Sequence, residues 1–373
     1  MKTEVVKADS DSTCDSIADR AAEVLSRGGL VAFPTETVYG VAARVDHPEA
    51  LDRLRFIKER PRDKAFTVHI ASRDDADQFV SQLPGIALRF IRKAWPGPLT
   101  LILNVEDPVA TAVTKELGVT ASETIYHDKT VGLRCPDEQI ATAFLRAARA
   151  PVVAASANLA GAPPPTSAGE VLRGLDGRID LLIDAGTTRY REPSTIVRIT
   201  GQSYELLREG VYDARTIERL SVLRLLFVCT GNTCRSPMAA ALAEKALAQR
   251  LGCEVRELSS KGVVVSSVGT AGGLGGAAEN AQEAMATRGL DISKHVSTAL
   301  SVELVQQADY VYAMASVHRD RIIGLAPAAR RRVALLLGDR DVHDPIGGSE
   351  QEYELCAQVI DEGIQAVLQE VKL

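Results

Sequence analysis

One cysteine and one arginine in the last two fifths of the chain have a spacing that suits phosphate chemistry. Five residues separate Cys229 from Arg235, and Ser236 follows, in the order C-x5-R-S. The apolar run 225–228 precedes the cysteine and Pro237 opens an alanine-rich segment, so the pattern predicts a strand, a loop and a helix. Backbone N–H groups at a helix N-terminus and an arginine fork bind a phosphate-sized anion and favour the thiolate form of a cysteine beside them.

A cysteine nucleophile of this kind needs an acid that protonates the leaving group. Asp344 precedes a proline, an isoleucine and two glycines, which together predict a loop. Asp344 is therefore the candidate acid, and Asp339 and Asp341 are its rivals. Within the cysteine loop, Ser236 can donate a hydrogen bond to the sulfur, and Gly231 permits the tight turn.

Short apolar runs in the first two hundred residues predict strands, and polar residues lie at or near their ends. These residues are Thr35, His69, Arg134, Ser156 and Asn158. The segment 58–64 adds four cations in seven residues, Lys58 and Arg60 among them. Such a run is either a solvated loop or a triphosphate clamp, in which Arg forks and Lys charges neutralise phosphate oxygens.

The elements that position these residues differ between the two parts of the chain. In the first part, predicted helices and strands mix without regular βαβ alternation, which predicts an α/β domain with a mixed, twisted sheet. No G-x-x-x-x-G-K-[ST] motif occurs, so nucleotide binding there uses no P-loop of that type.

Length and composition set limits on the function. With 373 residues the chain is long enough for two domains. The net charge of −6 gives no basic surface for nucleic acid, and six scattered cysteines without CxxC spacing indicate neither a disulfide framework nor a metal site. We find no signal sequence and no apolar run that could cross a membrane, and we expect a cytoplasmic protein.

Seven motifs in the first part, in their order, resemble the threonylcarbamoyl-AMP synthases, which have the YrdC-like fold. They are PTETVYG (34–40), K-x-R (58–60), WPGPLT (95–100), R-x-P (134–136), S-x-N (156–158), PSTIV (193–197) and LREG (207–210). The resemblance covers residues 10–212. It implies synthesis of L-threonylcarbamoyl-AMP and pyrophosphate from L-threonine, bicarbonate and ATP, with Mg²⁺ accompanying ATP. Other proteins then pass the carbamoyl group to an adenosine of tRNA.

The same resemblance implies roles for individual residues. Phosphates are held by Lys58 and Arg60, the nucleotide by Ser156, Asn158 and Arg208, and the threonine and carboxylate side by Thr35, His69, Arg134 and Ser194; Thr166 completes the set expected to bind ATP or substrate. The alternative is that this part of the chain is only an RNA- or nucleotide-binding module.

After a predicted linker at 213–221, residues 222–373 resemble the low-molecular-weight protein tyrosine phosphatases. The matching pieces are FVCTGNTCRSPMA (227–239), GLDISKHVS (289–297), ADYVYAM (308–314) and DPIGG (344–348). The implied fold is a four-stranded parallel sheet flanked by helices, with the cysteine loop at the carboxyl end of the first strand. The implied roles are Cys229 as nucleophile, Arg235 as oxyanion clamp, Asp344 as acid and then base, and Asn232 and Ser236 as supports of the loop. A phosphoprotein is the implied substrate, and no cofactor is needed.

Two loop residues leave questions open. Cys234 either forms a reversible disulfide with Cys229 or is a small packed residue. Thr233 resembles the bacterial protein-arginine phosphatases, whereas tyrosine-directed members more often carry a bulkier aliphatic residue there. Phosphoarginine is therefore an alternative to phosphotyrosine. An arsenate reductase is a further alternative, but it needs resolving cysteines that are missing between Val296 and Asp344.

Overall fold

The computed structural model describes residues 2–8, 14–61, 64–118, 122–273 and 275–373. The chain divides into two compact units, Met1–Leu220 and Ser221–Leu373, called here the N-terminal and C-terminal units. The predicted domain start at residue 10, and Arg62 and Asp63 of the cationic run, lie outside the described residues. The predicted linker contains the helix Ala214–Ser221, and the domain limits themselves stay a prediction.

The N-terminal unit is built on one large mixed sheet. Its strands are β1 (Glu4–Lys7), β2 (Val31–Phe33), β3 (Gly40–Arg44), β4 (Thr67–His69), β5 (Leu99–Asn104), β6 (Tyr126–His127), β7 (Thr130–Arg134), β8 (Val152–Ser156), β9 (Leu181–Asp184), β10 (Thr195–Thr200) and β11 (Ser203–Arg208). The order is β1-β9-β2-β3-β8-β4-β7-β5-β10-β11, with β6 paired to β7. The sheet contains both parallel pairs, such as β5 and β10, and antiparallel pairs, such as β5 and β7, which confirms the predicted mixed α/β sheet.

Helices cover both faces of this sheet. They are Cys14–Ser26, Pro48–Lys58, Gly85–Ala94, Ala112–Leu117, Gln139–Ala147 and Ala168–Leu175, with shorter 3₁₀ turns at Arg73–Gln78 and Pro108–Ala110. Because side chains alternate along a strand, β2 sends Val31 and Phe33 into one hydrophobic cluster and Ala32 into the other. The sheet therefore has a packed core on each side.

The single tryptophan of the chain lies at the turn before β5. Trp95 is 3% exposed, and its indole N–H donates to the carbonyl of Leu99 over 2.7 Å. Leu99 is the first residue of β5, and the second, Thr100, shares a hydrogen bond of 3.0 Å with the hydroxyl of Ser194. The WPGPLT motif thus fixes the start of a strand that carries a polar side chain.

The C-terminal unit has a four-stranded sheet of β12 (Leu223–Cys229), β13 (Val263–Gly269), β14 (Tyr310–Ala313) and β15 (Val333–Leu335). The order is β13-β12-β14-β15 and every pair is parallel, as the sequence predicts. Its helices are Arg235–Leu251, Glu279–Ala286, Val302–Gln307, Ser316–Leu325 and Glu350–Glu370, with 3₁₀ turns at Val255–Glu257 and Pro327–Arg332. The carboxyl ends of parallel strands meet at one edge of a sheet, where ligands of such folds bind.

Membrane, metal and disulfide features can be stated for the described ranges. No helix in them is both long enough and apolar enough to cross a membrane. Those ranges also hold no group of three or more His, Cys, Asp or Glu side chains placed to bind a metal ion. The six cysteines are all free thiols, and only Cys253 is not buried.

Candidate active sites

A cavity of about 410 Å³ lies over one face of the N-terminal sheet. Alternate residues of β4, β5, β7, β8 and β10 form its floor, as side chains that point to the same side of a strand must. Of the predicted site residues, those that line it are Thr35, Lys58, Arg60, His69, Arg134, Ser156, Ser194 and Arg208. Asn158 lies beside the cavity as a partner of Lys58. Thr166 is bonded elsewhere, to the carboxylate of Glu170.

Lys58 joins the predicted K-x-R and S-x-N motifs. It ends the helix Pro48–Lys58, and its ammonium donates to the carbonyls of Ser156 and Asn158 over 3.0 and 2.8 Å. The side-chain oxygens of the same two residues lie 3.2 and 2.9 Å away. Burial, together with the nearby charge of Arg60, lowers the pKa of Lys58 to about 8. The motifs therefore form one cluster with a cation whose charge depends on pH near neutrality.

Arg60 is held against an aromatic ring at the same cavity. Its guanidinium lies 5.1 Å from the ring centre of Phe66, within the range of a cation–π contact. Its nitrogens donate to the carbonyls of Lys64, over 3.2 Å, and of Ala65. Burial and the charge of Arg55 lower the pKa of Arg60. The contacts fix the plane of a guanidinium that the sequence assigns to phosphate.

Arg134 forms a buried ion pair with Glu36. Its Nη2 lies 3.0 Å from Oε1 of Glu36 and 2.5 Å from the hydroxyl of Thr37, while Thr35 is 3.3 Å away. The other oxygen of Glu36 accepts the backbone N–H of Asp137. Nε of Arg134 is buried without a hydrogen-bond partner among the described residues. A buried donor without a partner is costly, so this N–H is suited to an anionic ligand in the cavity.

His69 stands next to this pair as a neutral imidazole. Burial, and then the charge of Arg134, lower the pKa of His69 to about 3. Its Nδ1 lies 3.3 Å from the carbonyl of Thr67, and its ring meets that of Phe33 edge-on. His69 can therefore accept or donate one hydrogen bond near the cavity without adding charge.

Arg208 closes the other side of the cavity. It donates from Nε and Nη2 to the carbonyl of Ser194 over 3.1 and 2.6 Å, and from Nη2 to the hydroxyl over 3.2 Å. Burial and the charge of Arg134 lower the pKa of Arg208. Since Ser194 is also bonded to Thr100, three motifs of the sequence meet here.

The predicted set of site residues does not include Glu36, Thr37 or Thr100. All three lie inside motifs quoted for the resemblance, and all three are buried in the structure. An acid or hydroxyl next to apolar residues inside such a motif was the available signal, because polar groups are rarely buried without a partner. Their partners, Arg134 and Ser194, were already in the predicted set.

In the C-terminal unit, residues 229–236 form the loop between β12 and the helix Arg235–Leu251, here named the phosphate loop. Cys229 is 2% exposed, and its sulfur lies 3.0 Å from the hydroxyl of Ser236. The backbone N–H of Asn232 donates to the same sulfur over 3.2 Å. The sulfur thus has hydrogen-bonding partners on two sides.

The turn of the phosphate loop depends on Asn232. Asn232 has the left-handed φ of 56°, and Gly231 is not in that region, so the expectation that Gly231 permits the turn was wrong. Asparagine tolerates this conformation, and the amide of Asn232 is fixed by bonds of 2.9 Å to the hydroxyls of Ser236 and Ser267. Its Oδ1 accepts the N–H of Thr298 over 2.8 Å.

Two residues of the segment after the helix Glu279–Ala286, His295 and Ser297, form hydrogen bonds with the backbone of the phosphate loop. The hydroxyl of Ser297 donates to the carbonyl of Gly231 over 2.8 Å, and Nε2 of His295 lies 2.8 Å from the carbonyl of Asn232. Sequence reasoning quoted this segment for the resemblance but assigned it no role. Its polar residues are the signal that could have found it.

Arg235 and Asp344 are paired in the structure. Nη2 of Arg235 is hydrogen-bonded to Oδ2 of Asp344, and Nη1 donates to the carbonyl of Val342 over 3.1 Å. Of the rival acids, Asp341 accepts the backbone N–H of Ser316 over 2.7 Å at the start of a helix. Of the three candidate acids, only Asp344 has a contact with Arg235 among the described residues.

Cys234 is buried at the N-cap of the helix Arg235–Leu251. Its sulfur lies 3.2 Å from the phenol oxygen of Tyr353. Burial, and then the contact with Cys234, raise the pKa of Tyr353. The reversible disulfide between Cys234 and Cys229 stays a prediction.

Family models match both units. Residues 23–210 match the Sua5/YciO/YrdC family model, described as telomere recombination. Residues 224–373 match the model of low molecular weight phosphotyrosine protein phosphatases.

Relatives of known name match the first part. The threonylcarbamoyl-AMP synthase of Pyrococcus abyssi is 36% identical over 200 residues, which are 54% of this chain and 56% of the relative. That of Bacillus subtilis (strain 168) is 36% identical over 222 residues, 58% of this chain and 61% of the relative. The chain thus spans less than two thirds of the length of these relatives. The crystal structure of Pyrococcus abyssi Sua5 complexed with L-threonine is 25% identical, with a TM-score of 0.50, and the match covers 72% of this chain and 92% of that one.

Proposed function

This chain belongs to the Sua5/YciO/YrdC family and carries a low-molecular-weight phosphatase domain, and on that premise we propose that it is a bifunctional enzyme. The N-terminal unit makes L-threonylcarbamoyl-AMP from L-threonine, bicarbonate and ATP. The C-terminal unit hydrolyses a phosphoprotein through a phosphocysteine. We further propose that the product of the first reaction serves tRNA modification through other proteins.

The charge of the N-terminal cavity carries the first half of the proposal. Six cationic side chains line it: Lys58, Arg60, Lys64, Arg134, Arg198 and Arg208. Among the described residues, two of them have a carboxylate partner, Arg134 with Glu36 and Arg198 with Glu205. A cavity of about 410 Å³ with this excess of positive charge suits a substrate set that is anionic, namely a triphosphate, bicarbonate and an amino acid carboxylate.

The reaction needs positioning and charge neutralisation, with no covalent bond to the enzyme. The threonine amine and bicarbonate combine to a carbamate with loss of water. A carbamate oxygen then attacks the α-phosphorus of ATP, and the bond to pyrophosphate breaks. Lys58 and Arg60 neutralise the phosphates, while Arg134, through its free Nε, holds a carboxylate beside neutral His69. Mg²⁺ enters as part of the ATP substrate, bound to its phosphates.

Pyrophosphate release by the full chain tests this activity. We expect release from ATP that depends on both threonine and bicarbonate, and the adenylate product in the same mixture. Lys58→Met is expected to abolish it, whereas Lys115→Met, on an exposed residue of the helix Ala112–Leu117, keeps it. Absence of release from folded wild-type protein would contradict the synthase and leave the unit as a nucleotide- or RNA-binding module.

The phosphate loop carries the second half of the proposal. Cys229 lies at the carboxyl end of β12 with Arg235 and Asp344 beside it. The thiolate attacks phosphorus, the bond to the leaving group breaks, and Asp344 gives that group its proton. Water then attacks the phosphocysteine, Asp344 takes a proton from it, and inorganic phosphate and the thiolate return.

The leaving group is a phenol or a guanidine. We retain phosphotyrosine as the formal class, and Thr233 supports phosphoarginine. A paired assay of the full chain on phosphotyrosine and phosphoarginine peptides decides between them by the ratio of kcat/KM. Cys229→Ser is expected to abolish hydrolysis of either peptide. Undiminished turnover by that variant would exclude Cys229 as the nucleophile.

A further inference from the structure

A buried histidine contacts the phosphate loop at Thr230. His318 lies in the helix Ser316–Leu325, which follows β14, and its Nε2 is 2.8 Å from the hydroxyl oxygen of Thr230. Thr230 directly follows the proposed nucleophile Cys229 and is an exposed residue. The proposed mechanism uses neither His318 nor Thr230.

The imidazole of His318 is not explained by its own hydrogen bonding. His318 is 2% exposed, yet its Nδ1 has no hydrogen-bond partner among the described residues. A buried polar atom without a partner reduces stability, and an apolar side chain would avoid that cost. The contact through Nε2 is therefore the feature that a histidine adds at this position.

Burial, more than the charges around it, keeps His318 neutral. Burial, and then Arg235 from the neighbouring helix, lower its pKa, against an opposing effect of Asp341 and Asp344 from the acid segment. A protonated ring would place a second N–H donor at the unpartnered Nδ1. The neutral ring adds no second cation beside Arg235, whose charged partner in the structure is Asp344.

The same helical turn also contacts the segment that carries the acid. The backbone N–H and the hydroxyl of Ser316 donate to the two oxygens of Asp341 over 2.7 and 3.2 Å. Asp341 lies three residues before Asp344. The turn 316–318 thus touches the nucleophile side of the loop through His318 and the acid segment through Ser316.

We propose that His318 is a positioning residue of the phosphatase site, which fixes Thr230 and with it the nucleophile end of the phosphate loop. The proposal rests on the proposed phosphatase function. His318 acts only through the hydroxyl of Thr230. Removal of the imidazole or of the hydroxyl therefore breaks the same hydrogen bond and lets the loop move in the same way. Backbone N–H groups next to Cys229 then point less well at the phosphate, so phosphate affinity and turnover fall together.

A double-mutant cycle on the full chain tests the proposal. The variants are His318→Ala, Thr230→Val and the two combined, with kcat/KM on phenyl phosphate and Kd for inorganic phosphate as measurements. Each single change is expected to weaken both by about five- to tenfold, the effect of one hydrogen bond. The double variant is expected to be no worse than the poorer single variant, because the residues act as one unit. His318→Gln should restore most of the loss, and Arg321→Ala, on an exposed residue of the same helix, serves as the control.

The outcomes separate this inference from the phosphatase itself. The positioning role is overturned if each single variant keeps kcat/KM and phosphate Kd within twofold of wild type. It is also overturned if the losses of the two single variants multiply in the double variant. If wild type binds phosphate but hydrolyses no ester, the phosphatase proposal fails and the phosphate Kd alone decides the cycle. Failure of wild type to bind phosphate overturns both. Should His318→Ala not fold, Thr230→Val still decides, since an unchanged Thr230→Val overturns the inference.

Discussion

Arg235 and Asp344 are bonded to each other in the structure, yet the proposed phosphatase reaction requires each of them to contact the substrate. Arg235 is buried and Asp344 is 40% exposed. A phosphate group that binds in the phosphate loop must replace the carboxylate of Asp344 as the partner of Arg235. At the scale of single residues, the acid is thus an internal competitor of the substrate as well as a proton donor.

Asp344→Asn separates these two roles. We expect phosphate to bind about two- to fivefold more tightly, because a partly exposed ion pair of ~0.5–1 kcal/mol is removed. At the same time kcat on phenyl phosphate should fall by roughly 10²- to 10⁴-fold, because the proton donor is lost. Phosphate Kd and steady-state kinetics measure the two effects.

Asp339→Asn is the matched control for charge, since Asp339 is exposed and has no contact with Arg235 among the described residues. It should change neither value. An unchanged kcat in Asp344→Asn returns Asp344 to a structural role, and a fall in Asp339→Asn would assign the acid to the rival.

Lys58 predicts a pH dependence of ATP binding. Its pKa is lowered to about 8, so the side chain is charged below that pH and neutral above it. Because the charged form binds phosphate, affinity for ATP should be full at pH 7 and fall by about tenfold by pH 9. Equilibrium titration with Mg·ATP across this range measures the affinity. Lys58→Met should bind Mg·ATP weakly at every pH and show no fall in affinity between pH 7 and pH 9. A wild-type affinity that is constant from pH 7 to 9 would contradict the role of Lys58.

At the scale of elements, the end of β13 sets the space for the phosphate loop. Gly269 is the last residue of β13 and pairs with Cys229 of β12. A Cβ on Gly269 would lie 2.5 Å from the carbonyl oxygen of Thr230 and 2.9 Å from the nitrogen of Asn232. Both are backbone atoms, so the loop itself would have to move.

Gly269→Ala should therefore weaken inorganic phosphate binding by roughly tenfold or more, since the N–H groups that bind phosphate are displaced. Gly324→Ala is the control, because an added Cβ there meets nothing within 4 Å. Gly324 lies in the helix Ser316–Leu325. Alanine there should raise the free energy of unfolding by up to about 1 kcal/mol and leave the affinity for phosphate unchanged. Normal phosphate affinity in Gly269→Ala would show that the loop tolerates the shift.

The sequence predicts several strands because the apolar runs that define them are local. β8, with the polar Ser156 at its end, and β12, which ends at Cys229, follow directly from such runs. Contacts across the fold could not be predicted in this way. Arg235 and Asp344 are 109 residues apart, and Thr230 and His318 are 88 apart, so their meeting depends on how strands and loops assemble.

The turn in the phosphate loop also shows that a local sequence pattern is not enough to predict the structure. Glycine has the lowest intrinsic cost in a left-handed conformation, which is why the sequence favours Gly231. Asn232 takes that conformation because its side chain is bonded to Ser236, Ser267 and Thr298. Two of these three partners come from later segments, so a purely local rule selects the wrong residue.

At the scale of the whole molecule, each candidate site is built from residues of one unit. Cys229→Ser should abolish phosphatase turnover and leave pyrophosphate release within about twofold of wild type. Lys58→Met should do the reverse, because no described site residue is shared between the units. Both assays on one preparation of each full-length variant measure this. A loss of the untouched activity by either variant would indicate that the two reactions are coupled.

Trp95 gives this two-part enzyme an internal fluorophore that reports on one part only. It is the single tryptophan of 373 residues, it is buried in the N-terminal unit, and its indole is bonded to β5, whose next residue reaches the cavity through Ser194. Excitation at the red edge of the indole band therefore selects the N-terminal unit in the intact chain, without labels. A shift of the tryptophan emission during denaturation then reports the unfolding of the N-terminal unit. The tyrosines of the C-terminal unit are not excited at that wavelength and do not contribute to the signal.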